Sequence, residues 1–565
     1  MEVSNIKFFP LLFTVLSISI SSTTLVTSAS DGFLQCFFSN IHRSDPINDV
    51  IFVKNSSAYT SLLQSSLRNL RFSKTSTPKP EFIITPYHET HVQTSVTCAK
   101  ENSMQIRVKS GGHDYEGLSY VAIGTPFVVL DVVNFRSISV DMNTETAWVE
   151  AGATLGELYY KIAEQSNVHG FPAGSCPTVG VGGHISGGGF GTIFRKYGLA
   201  ADNVVDAKLV DINGRVLNRQ TMGEDLFWAI RGGGGLSFGI ILSFRIRLVP
   251  VPPSVTVFNL GKTLDQGASE LLQKWQTIGN ILHEDIFLHA VVVVANSSAN
   301  FGNETINVSF FSLLLGPAEQ LVTLMQENFP ELGLELSHCT EMSWIQSVLY
   351  FAGFSIKEPL NVLLNRTATS TSFFKAKSDY VRAPISESGL EGLWQRMLED
   401  ETSLLIFSPY GGKMSEISDS EIPFPHRKGN LYLIQYLSVW AVENETEDHI
   451  AWMRRLYDYM EPYVSQSPRA AYFNYRDLDL GTNNCGGDNN TSYEQASSWG
   501  LRYFMHNFER LVRVKTMIDP LNFFSNEQSI PALPSQGITK GLRRSKVIAC
   551  LILIRPSINC FIDAN

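Results

Sequence analysis

The chain has 565 residues, too many for one ordinary domain, with 44% apolar and 17% charged residues and 42 glycines. That balance describes a folded, enzyme-sized protein and excludes a disordered or fibrous one. A formal net charge of −10 with no basic stripe argues against a nucleic-acid partner.

Residues 1–29 read as a secretory signal peptide. Lys7 gives a thin positive region, residues 8–20 are apolar but too few to span a bilayer, and Thr27-Ser28-Ala29 offers a small-residue cleavage site. A buried N-terminal helix is the plainer alternative. Secretion has separate support in eight Asn-x-Ser/Thr sequons, at Asn55, Asn296, Asn303, Asn307, Asn365, Asn444, Asn489 and Asn490, the last two overlapping. None of the seven cysteines has zinc-like CxxC spacing, and no metal is expected. In an oxidising compartment Cys36 and Cys98 are expected to pair, stapling the mature N-terminus to the first helix of the main domain. The odd count leaves at least one thiol for another task.

From residue 82 the pattern is strand, helix, strand. Phe82-Ile83-Ile84 precedes a helix-compatible stretch at 88–101, and Ile106-Arg107-Val108 runs into Ser110-Gly111-Gly112-His113. This βαβ unit places its turn at the carboxyl end of the second strand, where α/β sheets hold ligands. Strands are predicted at 127–132 and 148–150, then a helix through residue 165 capped by Thr154. Asn213-Gly214 marks a hairpin, and a short helix at 225–230 is stopped by four glycines. After the prolines at 250, 252 and 253 the texture changes. Alternating runs at 287–294, 308–315 and 431–440, with a helix at 317–329, predict an α+β unit with a mostly antiparallel sheet. Past Arg469 aromatic and acidic motifs return, and the chain is expected to rejoin the first unit. The tail at 532–565 has an apolar run broken by Arg555 and Pro556, too short for a membrane span. It reads as a poorly ordered extension.

Three glycine-rich stretches carry the chemistry. The first is Ser110-Gly111-Gly112-His113-Asp114-Tyr115-Glu116-Gly117, where a strand end exposes backbone N–H groups able to cradle a pyrophosphate. A tight turn with a surface histidine would look the same. The second, residues 170–191, holds Ser175-Cys176-Pro177-Thr178 and Gly182-Gly183-His184. It cannot build a core and suits a backbone wrapped round a flat ligand. Its lone Cys176 fits a ligand site, a distant disulfide or a free thiol. The third, Arg231 with four glycines and then Leu236-Ser237-Phe238-Gly239, has helix before it and strand after, the reverse of a nicotinamide fingerprint. Gly261-Lys262-Thr263 is no nucleotide loop, because Thr256 stands where the first glycine belongs.

Together these stretches resemble the berberine bridge enzyme-like family, within the FAD-linked oxidases of the vanillyl-alcohol oxidase and p-cresol methylhydroxylase type. Phe227-Trp228-Ala229-Ile230-Arg231, Asn474-Tyr475-Arg476-Asp477-Leu478-Asp479 and Glu527-Gln528-Ser529-Ile530-Pro531 carry the same resemblance, which covers about residues 33–531. It implies an α+β fold with an FAD-binding domain at 30–254 (core about 77–252). A substrate domain follows at 255–468, and a segment at 469–531 returns to the first domain. It implies FAD held by two covalent bonds, from His113 to the flavin 8α carbon and from Cys176 to C6. Ser110, Gly111, Gly112, Asp114, Gly182, Gly183, His184, Gly187 and Gly239 are the further cofactor contacts expected.

On the substrate side, Leu433, Gln435, Leu437 and Val439 share one strand face, with Gln435 the strongly polar member. A core glutamine satisfied by protein groups is the bland reading. The family's alkaloid-cyclising members carry a catalytic glutamate at this position, and glutamine cannot act as a base. Tyr475 is the base candidate by resemblance, although a tyrosine titrates near pH 10 and needs cationic or hydrogen-bond support. Tyr115 is a candidate substrate contact. Phe190, Leu433 and Phe473 stand where polar groups are common in members that oxidise aromatic allylic alcohols, so a more apolar pocket is expected. Val179 matches a position the family uses to gate oxygen, and its small size resembles oxygen-reactive members. The expectation is a secreted, monomeric FAD-dependent oxidase. It takes a hydride from an alcohol, sugar or phenolic-type substrate, at a C–H beside oxygen or nitrogen, and passes electrons to O2 to give hydrogen peroxide. The apoplast or cell wall is the expected location, with the vacuole as alternative, and no membrane span in the mature chain. An oxidative cyclase and a flavin-bearing non-redox or binding protein are the competing readings.

Overall fold

The computed structural model describes residues 28–41, 47–297, 304–367, 371–484 and 491–533. Residues 1–27 of the expected signal peptide (1–29), the tail from residue 534, Asn303, Asn489, Asn490, Cys485, Cys550 and Cys560 lie outside the described residues.

Residues from 47 to 131 build a four-stranded sheet. Phe82–Ile84 and Gln105–Lys109 each pair in parallel with Phe127–Asp131, which lies between them, and Ile51–Val53 adds an antiparallel edge. The five residues Phe127 to Asp131 are all buried, as a central parallel strand covered on both faces requires. A second, antiparallel sheet orders Ile138–Asp141, Thr146–Glu150, Ile240–Arg247, Val204–Val210 and Val216–Leu217. Its last two strands are joined across the Asn213-Gly214 turn, where Gly214 takes φ +71°. The helix Leu155–Gln165 starts at a capping box in which Thr154 and Glu157 satisfy each other's backbone N–H, and Leu155, Leu158, Tyr159 and Ile162 form its buried stripe.

The chain then forms one seven-stranded antiparallel sheet. Its order is Thr340–Met342, Val255–Thr263, Glu304–Leu314, Ile286–Asn296, Ser403–Pro409, Tyr432–Trp440 and Phe373–Val381. The helices Ala268–Ile278, Glu387–Met397 and Thr446–Met460 touch one another in a layer against it. The sheets and helices are segregated, which makes the fold α+β.

The last described segment packs on the first two sheets. Glu527 forms a buried ion pair with Arg107 at 2.8 Å, and Lys515 Nζ donates to the Ser237 carbonyl at 2.7 Å. Cys36 and Cys98 form a disulfide that ties Ala29–Asn40 to Glu89–Glu101, with 5.6 Å between their Cα atoms. Asn55, Asn296, Asn365 and Asn444 are exposed. Asn307 is half-buried on an inner strand, and its amide donates to Ser309 Oγ at 2.9 Å. Among the described residues no helix is long and apolar enough to cross a membrane.

Candidate active site

A cavity of about 520 Å³ lies between the glycine loops and the seven-stranded sheet. Its first wall begins where Gln105–Lys109 ends. Lys109 pairs with Asp131 at 2.7 Å, tying two strand ends together beneath the loop. Ser110 Oγ donates to the Ala151 carbonyl at 2.5 Å. Gly111 and Gly180 press backbone to backbone, since a Cβ on Gly111 would lie 2.3 Å from Gly180 N. Gly112 turns at φ +71°, which a side chain would strain. Asp114 accepts from the N–H groups of Glu116 (3.0 Å) and Leu118 (3.1 Å) and from Arg476 Nε (2.8 Å), so its charge is matched within the protein.

His113 and Cys176 share a neighbour. Thr178 Oγ1 lies 3.0 Å from His113 Nε2 and 3.7 Å from Cys176 Sγ. Burial, then the Arg68 charge, hold the His113 imidazole down to a pKa of about 4, so it is neutral and its nitrogen lone pair is available as a nucleophile. Cys176 is exposed and free. Gly182, Gly183, His184 and Gly239 line the cavity. Gly187 is absent from the lining. A Cβ there would lie 1.9 Å from Asn474 Oδ1, so this glycine makes room for Asn474, whose Nδ2 donates to the His184 carbonyl. Gly234, Gly235, Ser237, Asn526 and Gln528 also line the cavity and stand outside the individual cofactor contacts expected from sequence. Their signal was the third glycine run and the Glu527-Gln528-Ser529 motif.

The opposite wall is a strand face. Val291 pairs with Ile406 and Ile406 with Gln435, so His289, Ile406, Ser408 and Gln435 stand on the same side of three adjacent strands and all line the cavity. Leu433 shares that face but is 1% exposed and does not line the cavity; its cross-strand partner Ser408 does. Gln435 Nε2 donates to Tyr115 Oη at 2.7 Å. The Tyr115 ring stacks on Tyr475 with centroids 5.6 Å apart and planes 7° apart. Phe190 meets Tyr475 edge-on at 6.2 Å and lines the cavity beside Val179. Phe473 lines it too, but against Gly234 and under the Arg476 guanidinium, on the glycine side.

Burial raises the phenols of both Tyr115 and Tyr475 above the usual tyrosine value, and for Tyr475 the neighbouring Tyr115, Tyr472 and Tyr410 push the same way. Among the described residues no cation counters that rise at Tyr475. Burial holds His289 and His184 at about 4, both neutral. Beneath the tyrosines lies a buried ionic cluster that was not read from sequence. Lys375 contacts Glu116 and lies 2.7 Å from Asp477; Lys377 lies 2.6 Å from Asp477 and 2.9 Å from Asp479. It joins the residue after Tyr115, the strand Phe373–Val381 and the segment after Tyr475.

The residues present fit a flavin dinucleotide. Gly183 faces open space that a Cβ would occupy unopposed, neutral His113 and exposed Cys176 flank one hydroxyl, and the remaining wall offers backbone, aromatic rings, amides and the paired charges of Asp114 and Arg476.

An FAD binding domain model matches residues 80–219, and a "Berberine and berberine like" model matches residues 471–531. A tetrahydroberberine oxidase of Berberis wilsoniae is 52% identical over 529 residues, spanning 93% of this chain and 98% of that one. The chain belongs to the berberine bridge enzyme-like family of FAD-linked oxidoreductases. A monolignol oxidoreductase of Arabidopsis thaliana is 49% identical over 532 residues, covering 94% and 98% of the two chains. The solved structure of Phl p 4.0202, described as a glucose dehydrogenase, superposes with a TM-score of 0.83 at 43% identity, covering 89% and 99%. An isoleucine-to-valine variant of Phl p 4 is described as a glucose oxidase. These relatives are oxidases and dehydrogenases, and this chain is an FAD-linked enzyme of the same kind.

Proposed function

We propose that this protein is a secreted oxidase carrying FAD bonded to His113 and Cys176. It oxidises a largely apolar, ring-containing substrate at a C–H beside nitrogen, with O2 as the electron acceptor. FAD supplies the two-electron acceptor that no side chain offers. The observation that carries the choice of nitrogen is that no strong base lines the cavity among the described residues: burial holds His184 and His289 at about 4, which leaves them neutral but weakly basic. Removing a hydride from an alcohol carbon also requires loss of the O–H proton, whereas an amine lone pair stabilises the cation left behind without proton transfer. Tyr115 and Tyr475 are held protonated at neutral pH, and Gln435 has no basic site. The stacked tyrosines orient a flat substrate, Gln435 fixes the Tyr115 hydroxyl, and Phe190, Phe287, Phe351 and Ile406 keep water away from it. The tetrahydroberberine oxidase relatives support this reading, and the apolar pocket makes a sugar a poorer fit. Oxidation of an alcohol is the second reading, favoured by the monolignol relative.

Val179, three residues after Cys176 and on the cavity wall, supports the oxygen half. The valine variant of Phl p 4 described as an oxidase points the same way.

The test has two parts. Acid precipitation with peptide mapping should find flavin on both the His113 and Cys176 peptides; a colourless pellet from folded protein removes the two-bond claim. Anaerobic mixing with a tetrahydroprotoberberine-type amine, an aromatic allylic alcohol and glucose should bleach the flavin fastest with the amine. Faster bleaching by the alcohol or sugar would reject nitrogen. Val179→Leu should slow reoxidation in air at least tenfold with little change in bleaching.

A further inference from the structure

Thr178 is placed where neither loop alone would need it. Its hydroxyl meets His113 Nε2 at 3.0 Å and lies 3.7 Å from Cys176 Sγ, so one small group touches both expected attachment residues. The loop around it is pinned. Gly156 N donates to the Pro177 carbonyl and Leu155 N to the Val179 carbonyl, each at 2.9 Å, and the Thr178 carbonyl lies 2.9 Å from where a Gly111 Cβ would sit. The other side is closed by residues 66–69. The Ser66 carbonyl lies 3.3 Å from a Cβ position on Gly112, and Asn69 Nδ2 donates to the Tyr115 carbonyl at 3.1 Å. Arg68, between them, has a buried Nε without a partner, and its charge acts on His113.

We propose that Thr178 is the positioning residue for covalent loading of the flavin: it holds His113 through Nε2, leaves Nδ1 to form the bond, and anchors the Cys176 sulfur beside it. This rests on the two-bond reading above. At His113 an N–C bond replaces one C–H bond of the 8α methyl group. Two electrons remain on the flavin, and two protons are released, one from that carbon and one from the imidazole N–H that faces Thr178. Dioxygen takes both electrons and both protons and leaves as hydrogen peroxide. At Cys176 an S–C bond replaces the C6–H bond, and the thiol and ring protons leave with the same two-electron transfer to dioxygen. A ring fixed through Nε2 can lose that proton into an existing hydrogen bond, so no reorientation is needed as the bond forms.

The experiment compares secreted wild type, Thr178→Val and Thr178→Ser after limited growth time. Native absorbance gives total flavin. Acid precipitation and peptide mapping give the share bonded at each residue. Loss of one hydrogen bond to a reacting group predicts about tenfold slower loading at His113 in the valine variant, with flavin still held non-covalently. The thermal midpoint should be nearly unchanged, and serine should restore loading. If the valine variant does not accumulate, Thr178→Ala removes the same hydroxyl with a smaller side chain. Loading of the valine or alanine variant at the wild-type rate, with the same histidine nitrogen bonded, would overturn the proposal. Wild-type protein without covalent flavin would instead overturn the two-bond reading, a result seen before any variant is examined.

Discussion

The two walls of the cavity are built from different materials. The wall formed by residues 110–114, 174–184 and 234–239 is largely main chain, with glycines packed at backbone distance. The wall of His289, Ile406, Ser408 and Gln435 is side chain, standing on regular strands whose backbone bonds are already satisfied. The first wall has little to exchange, because most of its contacts are peptide groups and Val179 is among its few variable side chains. The second can change shape residue by residue without disturbing its sheet. A family can therefore keep one cofactor and vary its substrates by confining variation to one side of the cavity.

The largest expected effect comes from undermining the side-chain wall from below. Lys375→Met leaves Glu116 and Asp477 short of a buried cation and should cost about 3–5 kcal/mol. Denaturant titration checks this, and a loss under about 1 kcal/mol would mean that water reaches the cluster. Next comes the main-chain wall. A Cβ at Gly180 would lie 2.0 Å from Ser110 Oγ and 2.3 Å from Gly111 N. Gly180→Ala should destabilise by about 3 kcal/mol and lower the flavin content, read as the ratio of flavin to protein absorbance. Normal flavin content would show that the loops can part, and the contrast between the walls would weaken.

Acid acts through buried histidines, each with an effect comparable to that of the glycine substitution. His184 and His289 are held at about 4 and His426 at about 3, each mainly by burial. Their folded values lie below the unfolded value of about 6.5, so the unfolded chain takes up protons first. Stability should be steady above pH 6.5 and fall between 6.5 and 4, by up to about 1.4 kcal/mol per pH unit for each histidine. A thermal midpoint that stays flat or rises over that range would show that these rings are hydrated.

The main-chain wall was legible because its parts are contiguous. Ser110 to Gly117 and the stretch from Cys176 to His184 read directly as loops too poor in apolar groups to make a core. The Thr154 cap and the Asn213-Gly214 hairpin were legible for the same local reason. The side-chain wall was not. Alternation put Leu433 and Gln435 on one face, which is how they stand, but alternation says nothing of depth along a strand. At that depth Ser408 faces the cavity and Leu433 is buried. His289 and Ile406 needed the register of strands remote in sequence. Gly187 was misplaced because a glycine that admits a neighbouring side chain looks the same in sequence as one that admits a ligand. The buried lysines escaped notice because their partners lie in two other segments.

The staple between Ala29–Asn40 and Glu89–Glu101 bears on the order in which the chain is made. Cys36 and Cys98 both precede Cys176 in the chain and emerge from the ribosome before it. Domains begin to fold from the amino end while synthesis continues. These two thiols can therefore be consumed by each other before Cys176 appears, and neither is then left to capture it.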